Sequence, residues 1–207
     1  MKHLSLLTAA ILMTTLAACE TYDPKYEPET VAIPNSNYAM GKYEVTQVQW
    51  KAVMGKNPSE FKNCGDTCPV ENVSWFDIQK FIQKLNAKTG KTYRLPTKSE
   101  WQRACLAGSK TEYCGGAYVD DGVAWYRDNS GGTTHPVGQK SPNAYGLYDM
   151  SGNVSEWTED QYKDSGRVLC GGSWDGFAES VRAESCYILG PSQRNNFSGF
   201  RLVRMLP

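Results

Sequence analysis

"RVLCGGSWDGFAESVRAESCYILGPSQRNNFSGFRLVR", residues 167–204, decides between a helical domain and a mixed one. Its ends, "RVLCGGSW" and "GFRLVR", are short strand candidates, whereas the middle carries Gly, Ser, Asn and aromatic residues with no helical period. The whole region after residue 109 has this character, and such long irregular connections usually need fixing by disulfides, metals or side-chain hydrogen bonds.

Upstream the signals are helical. "YAMGKYEVT" alternates as a strand, and Thr46 with Gln49 forms a capping box that opens a short helix through Met54. Ser74 caps a second helix in which Trp75, Ile78, Phe81, Ile82 and Leu85 make one apolar stripe, ended by Gly90. A third follows "RLPTKSEW", where Thr97 and Glu100 form another capping box and Trp101 and Cys105 share a face. The expected class is α+β with much irregular structure.

The first 18 residues have a basic start at Lys2, an apolar run from Leu4 to Leu16 and small residues before Cys19. That run is too short to span a bilayer and has the layout of an export signal. "LAAC" resembles a bacterial lipobox, which makes Cys19 the expected acylated first residue of the mature chain and the lipid anchor to the membrane. Residues 19–37 carry three prolines and no apolar periodicity and read as a flexible tether. The folded domain is then expected over 38–207. Glu20 after Cys19 leans towards the outer membrane, so the expected location is the bacterial cell envelope, periplasmic or surface-exposed.

The remaining charges are 21 basic against 22 acidic residues, so neither a nucleic acid nor a membrane surface is an obvious electrostatic partner. Six cysteines other than Cys19 form an even set in an exported chain, and disulfides are the default. Local geometry favours Cys64 with Cys68, Cys105 with Cys114, and Cys170 with Cys186. A mature chain with one histidine, His135, does not suit zinc; that residue reads as a hydrogen-bonded loop group. Trp50, Trp75, Trp101 and Trp157 read as core, with Trp174 open.

Six ordered blocks, "GKYEVTQVQW", "PVENVSWFDIQKFIQKLN", "YRLPTKSEWQRA", "NAYGLYDMSGNVSEW", "GGSW" and "GFRLVR", resemble the formylglycine-generating enzyme (sulfatase-modifying factor) family. The resemblance implies one compact domain related to the C-type lectin fold. It also implies where an oxidase would hold copper through two cysteines. Those positions are Gly176 and Val181, neither of which is a soft ligand or a thiol, so no copper and no catalysis are expected. "DMSGNVSE" resembles the family's calcium loop, implying a structural Ca²⁺ on Asp149, the carbonyls of Gly152 and Val154, and Glu156. The competing reading is a tight loop whose carboxylates accept backbone N–H bonds.

The C-terminal stretch also resembles the variable segment of proteins diversified by retroelements. Gly171 to Trp174, Arg182, Pro191, Arg194 and Gly199 to Leu202 match its fixed part. The inserted residues Asp175, Gly176, Phe177, Ser180, Ser185, Tyr187, Ile188, Leu189, Asn195, Asn196 and Phe197, with Trp174, form the candidate ligand face. Exposed aromatic and aliphatic groups beside Asn and Ser suit recognition, although Phe177, Ile188 and Leu189 read equally well as core. The expected function is ligand binding, to a protein or a glycan, by a surface-anchored lipoprotein. A formylglycine-generating oxidase and a scaffold or regulatory subunit of an envelope assembly are the alternatives.

Overall fold

The computed structural model describes residues 22–163 and 165–207; the signal segment and Cys19 lie outside them. Three helices stand where their caps place them: α1 (Gln47–Met54), α2 (Trp75–Thr89) and α3 (Lys98–Leu106). All three begin with a closed capping box, on Thr46, Ser74 and Thr97. Each box satisfies backbone donors that the first turn would leave without partners. Gly90 ends α2 in the left-handed region (φ 72°), which costs a residue without a Cβ least.

Two four-stranded sheets complete the fold. In the first, β1 (Thr30–Ala32), β2 (Tyr38–Gly41), β8 (Val203–Met205) and β3 (Tyr93–Arg94) lie side by side, all antiparallel. The second has the order β6 (Cys186–Leu189), β5 (Gly166–Cys170), β4 (Ser155–Tyr162) and β7 (Ser198–Gly199), with β4 and β7 parallel. The α2 stripe packs on Trp50, Trp157, Phe200 and Leu202, and Trp50 stacks on Phe81 at 5.1 Å. Full burial of each such side chain contributes about 1.5–3 kcal/mol.

The boundary expected at Tyr38 moves towards the N-terminus. Thr30–Ala32 pairs with β2, Ile33 is buried, and the buried Glu27 accepts from Lys91 Nζ at 2.7 Å and from the Tyr93 hydroxyl at 3.1 Å. Part of the expected tether is thus an edge strand and an ion pair of the folded domain. The partners of Glu27 sit more than 60 residues away, beyond the reach of a local reading.

Candidate functional site

The C-terminal face is built on the hairpin β5–β6. Cys170 and Cys186 are register partners in it and are joined as a disulfide, and Cys64–Cys68 and Cys105–Cys114 are joined likewise. After β5 the chain turns at Gly172 (φ 69°), where a Cβ would stand 2.6 Å from the Ser180 carbonyl oxygen. Only glycine fits there. A 3₁₀ turn over Ala178–Val181 then closes against the core through buried Val181.

None of the twelve candidate ligand residues is buried. Asp175, Phe177, Ser180 and Ile188 are exposed and the other eight are half-buried. Phe177 is 58% exposed under the Arg127 guanidinium, 4.7 Å from its ring, and Ile188 is 42% exposed on β6. The core reading of these two is therefore corrected; Leu189 and Tyr187, in contrast, lean on the main apolar cluster. Trp174 has a bracing role. Its Nε1 donates to the Asn196 carbonyl at 3.1 Å, its backbone carbonyl accepts from Ser130 Oγ at 2.7 Å, and its ring meets Phe61 edge-on. The Asn195 carbonyl is held by the Asn72 N–H.

Six of the twelve, Asp175, Gly176, Ser180, Ser185, Tyr187 and Phe197, line a single cavity of about 390 Å³. Trp174, Phe177, Ile188, Leu189, Asn195 and Asn196 lie outside it. Ser155, Ser173 and Glu179 complete its polar wall and were missed by the sequence reading. Ser173 sits in the "GGSW" framework, and its hydroxyl donates to Asp175 Oδ1 at 2.6 Å. Ser155 lies within the loop read for its metal ligands, between Val154 and Glu156, and nothing local marks it as facing a cavity. The Tyr187 hydroxyl lies against those of Ser155 and Ser198, but none of the three makes a hydrogen bond of good geometry. Burial raises the Tyr187 phenol above its ordinary value, so it is neutral at physiological pH.

Behind the cavity, buried charges fix the loop before β4. Arg201 is fully buried and donates from Nε and Nη2 to both oxygens of Glu156 at 2.7–2.9 Å, and from Nη2 to the Tyr148 carbonyl at 2.8 Å. Trp101 Nε1 donates to the same carboxylate at 2.7 Å. Glu44 accepts from Asn153 Nδ2 at 2.6 Å and from the Val154 N–H at 3.0 Å. Its carboxyl is pushed well up by burial and, after that, by the charges of Asp149 and Glu156. Asp149 accepts from the Gly138 N–H at 2.7 Å, and its carboxyl is pushed up to about 6, chiefly by burial.

A calcium ion on Asp149, Gly152, Val154 and Glu156, as expected from the sequence, would share Glu156 with Arg201, while Asp149 keeps one buried oxygen, Oδ1, without a hydrogen-bond partner. Both Glu156 oxygens are committed to Arg201, and a dication at that carboxylate would meet a guanidinium. Among the described residues no group of three or more His, Cys, Asp or Glu side chains is placed to hold a metal.

Of the positions where the oxidase branch would carry its cysteines, Gly176 faces the cavity and Val181 is core. All six cysteines among the described residues are in disulfides. The four tryptophans read as core, at positions 50, 75, 101 and 157, are buried. His135 stacks on Trp125 at 3.7 Å and its Nε2 is bonded to the Ser130 carbonyl.

The fold has counterparts in known proteins. The chain is 34% identical to the chaperone protein LppX of Paenibacillus barcinonensis, over 90% of this chain and 86% of that one. It is 36% identical to the inactive C-alpha-formylglycine-generating enzyme 2 of Bos taurus, over 64% of this chain and 49% of that one. Among solved structures it is similar to Treponema denticola variable protein 1, with a TM-score of 0.75 and 29% identity, covering 87% of this chain and 92% of the other. The model of the sulfatase-modifying factor enzyme 1-like domain matches residues 11–206, nearly the whole chain, and the protein belongs to that family.

Proposed function

We propose that this protein is a non-catalytic, lipid-anchored binding protein of the bacterial cell envelope, held in the outer membrane through Cys19, that engages a protein or glycan ligand through its C-terminal face. One observation carries the reading. The inserted residues of 174–197 reach the surface or a cavity, while the framework residues between and after them are committed to structure: Gly172 to a tight turn, Arg194 to Asp77, and Phe200, Arg201 and Leu202 to the core. Side chains can therefore change at the inserted positions without disturbing the scaffold. Likeness to a protein named for its variability supports a diversified face.

The oxidase reading lacks its chemistry, because Gly176 and Val181 offer no thiolate. Incubation with copper, oxygen and a sulfatase-type cysteine peptide is expected to give no aldehyde; aldehyde formation would overturn the proposal. Diversification has a separate test in the gene. Codons ending in C or T at the inserted positions, with a near-copy repeat and a reverse transcriptase gene nearby, are expected, and their absence removes that part. A role as an assembly partner in the envelope is the second reading, favoured by likeness to a protein named a chaperone over most of both chains.

A further inference from the structure

The cavity on the C-terminal face has one sign of charge. Asp175 and Glu179 are in its wall, and no Lys, Arg or His lines it. Asp175 Oδ1 accepts from Ser173, which leaves Oδ2 open to a ligand, and the Glu179 side chain is exposed. The rings of Tyr187 and Phe197 and the Cys170–Cys186 disulfide supply an apolar side. Ser155, 1% exposed, also lines it; its Oγ has no hydrogen-bond partner of good geometry and stands beside the similarly unmatched hydroxyl of Tyr187, another lining residue, and that of Ser198, which lies outside the lining.

Unmatched buried hydroxyls point to a missing partner, because such groups are nearly always satisfied. Each hydroxyl oxygen can accept. A group that only donates, carries positive charge and sits on an aliphatic stem answers all three features of the cavity. A lysine ammonium has three donors and no acceptor, and its four-carbon stem packs readily on aromatic rings. Carboxylate or phosphate groups would meet Asp175 and Glu179 with no compensating cation. Arginine would present five donors in a plane, more than Asp175 and the Ser155 and Tyr187 hydroxyls can accept together.

We propose that this cavity receives the lysine side chain of a protein ligand, with the stem along Tyr187 and Phe197 and the ammonium between Asp175 and the Ser155 side of the cavity. The proposal rests on the reading of the C-terminal face as a binding surface and narrows its ligand to a protein presenting a lysine. Glycan recognition is the competing outcome.

The test titrates the protein with Nα-acetyl-lysine amide, Nα,Nε-diacetyl-lysine amide and methyl mannoside, following amide and aromatic signals by NMR. The lysine amide is expected to shift signals of Tyr187 and its neighbours. Nε-acetylation, or Asp175→Asn together with Glu179→Gln, is expected to weaken binding about tenfold or more with the thermal midpoint unchanged. Binding of the mannoside in place of the lysine amide would overturn the inference, as would lysine binding indifferent to the Asp175 and Glu179 changes. Absence of any binding would also overturn it. The two readings are separated by Phe177 and Ile188, which lie outside the cavity: a partner lost on changing those two but not Asp175 and Glu179 leaves the face intact and removes the lysine, whereas a partner lost on changing neither pair removes the face.

Discussion

Arg201 and Glu156 face one another at the centre of the fold, both fully buried, with the guanidinium on both carboxylate oxygens at 2.7–2.9 Å. Removing one partner strands the other charge in the interior, which typically costs about 3–5 kcal/mol. Arg201→Met and Glu156→Gln are each expected to lower stability by that order, measured as the urea midpoint. A loss below about 1 kcal/mol in both would show that the pair is not a structural keystone.

The same pair engages the carboxylate on which a calcium ion at the loop would rely. Thermal midpoints in EGTA and in millimolar calcium are expected to coincide. A lower midpoint in EGTA, restored by added calcium, would show that a metal stabilises the native state after all.

Asp77 joins α2 to the C-terminal segment. It closes the capping box with Ser74 and accepts from Arg194 at 2.7 and 3.0 Å. Burial works to raise its carboxyl, but the bonds from Arg194 and Ser74 outweigh it and hold the pKa below the ordinary 3.8. The stabilisation is complete above the ordinary aspartate range and fades as pH falls through the depressed folded value. Asp77→Ala is expected to cost about 1 kcal/mol at neutral pH and less at low pH, where the native carboxyl is itself protonated. Equal cost at both pH values would contradict the assignment.

The Cys170–Cys186 bond ties β5 to β6 at one wall of the cavity. Replacing both cysteines by serine is expected to cost about 2–4 kcal/mol, read from denaturant unfolding. An unchanged midpoint would mean that the ladder alone holds the hairpin.

These contributions also show what a sequence can disclose. The three helices were legible because their signals are local: Thr46 with Gln49, Ser74 with Asp77 and Thr97 with Glu100 are each three residues apart. Strand β4 was not. Its first four residues are all buried, so no alternation marks it, and Glu156 looks like a surface acid or a metal ligand until Arg201 arrives 45 residues later. Glu27 was hidden for the same reason, since what orders it is Lys91 and Tyr93; β1 pairs with nearby β2 but is only three residues long and lies among prolines. Strand β6 read as inserted loop because its Tyr187 and Ile188 are spaced like neither a core strand nor a solvated one. For the candidate face, the outward residues were legible, but the cavity was not. It exists only where Ser155, Ser173 and Glu179 meet the inserted residues.

The central claim is that the protein acts by binding through exposed side chains of the C-terminal face. Its most direct test presents the protein to arrays of cell-surface peptides and glycans, beside a variant carrying Phe177→Ser and Ile188→Ser. Discrete partners are expected for the native chain, lost by the variant at an unchanged thermal midpoint. Partners bound equally well by both proteins would contradict it.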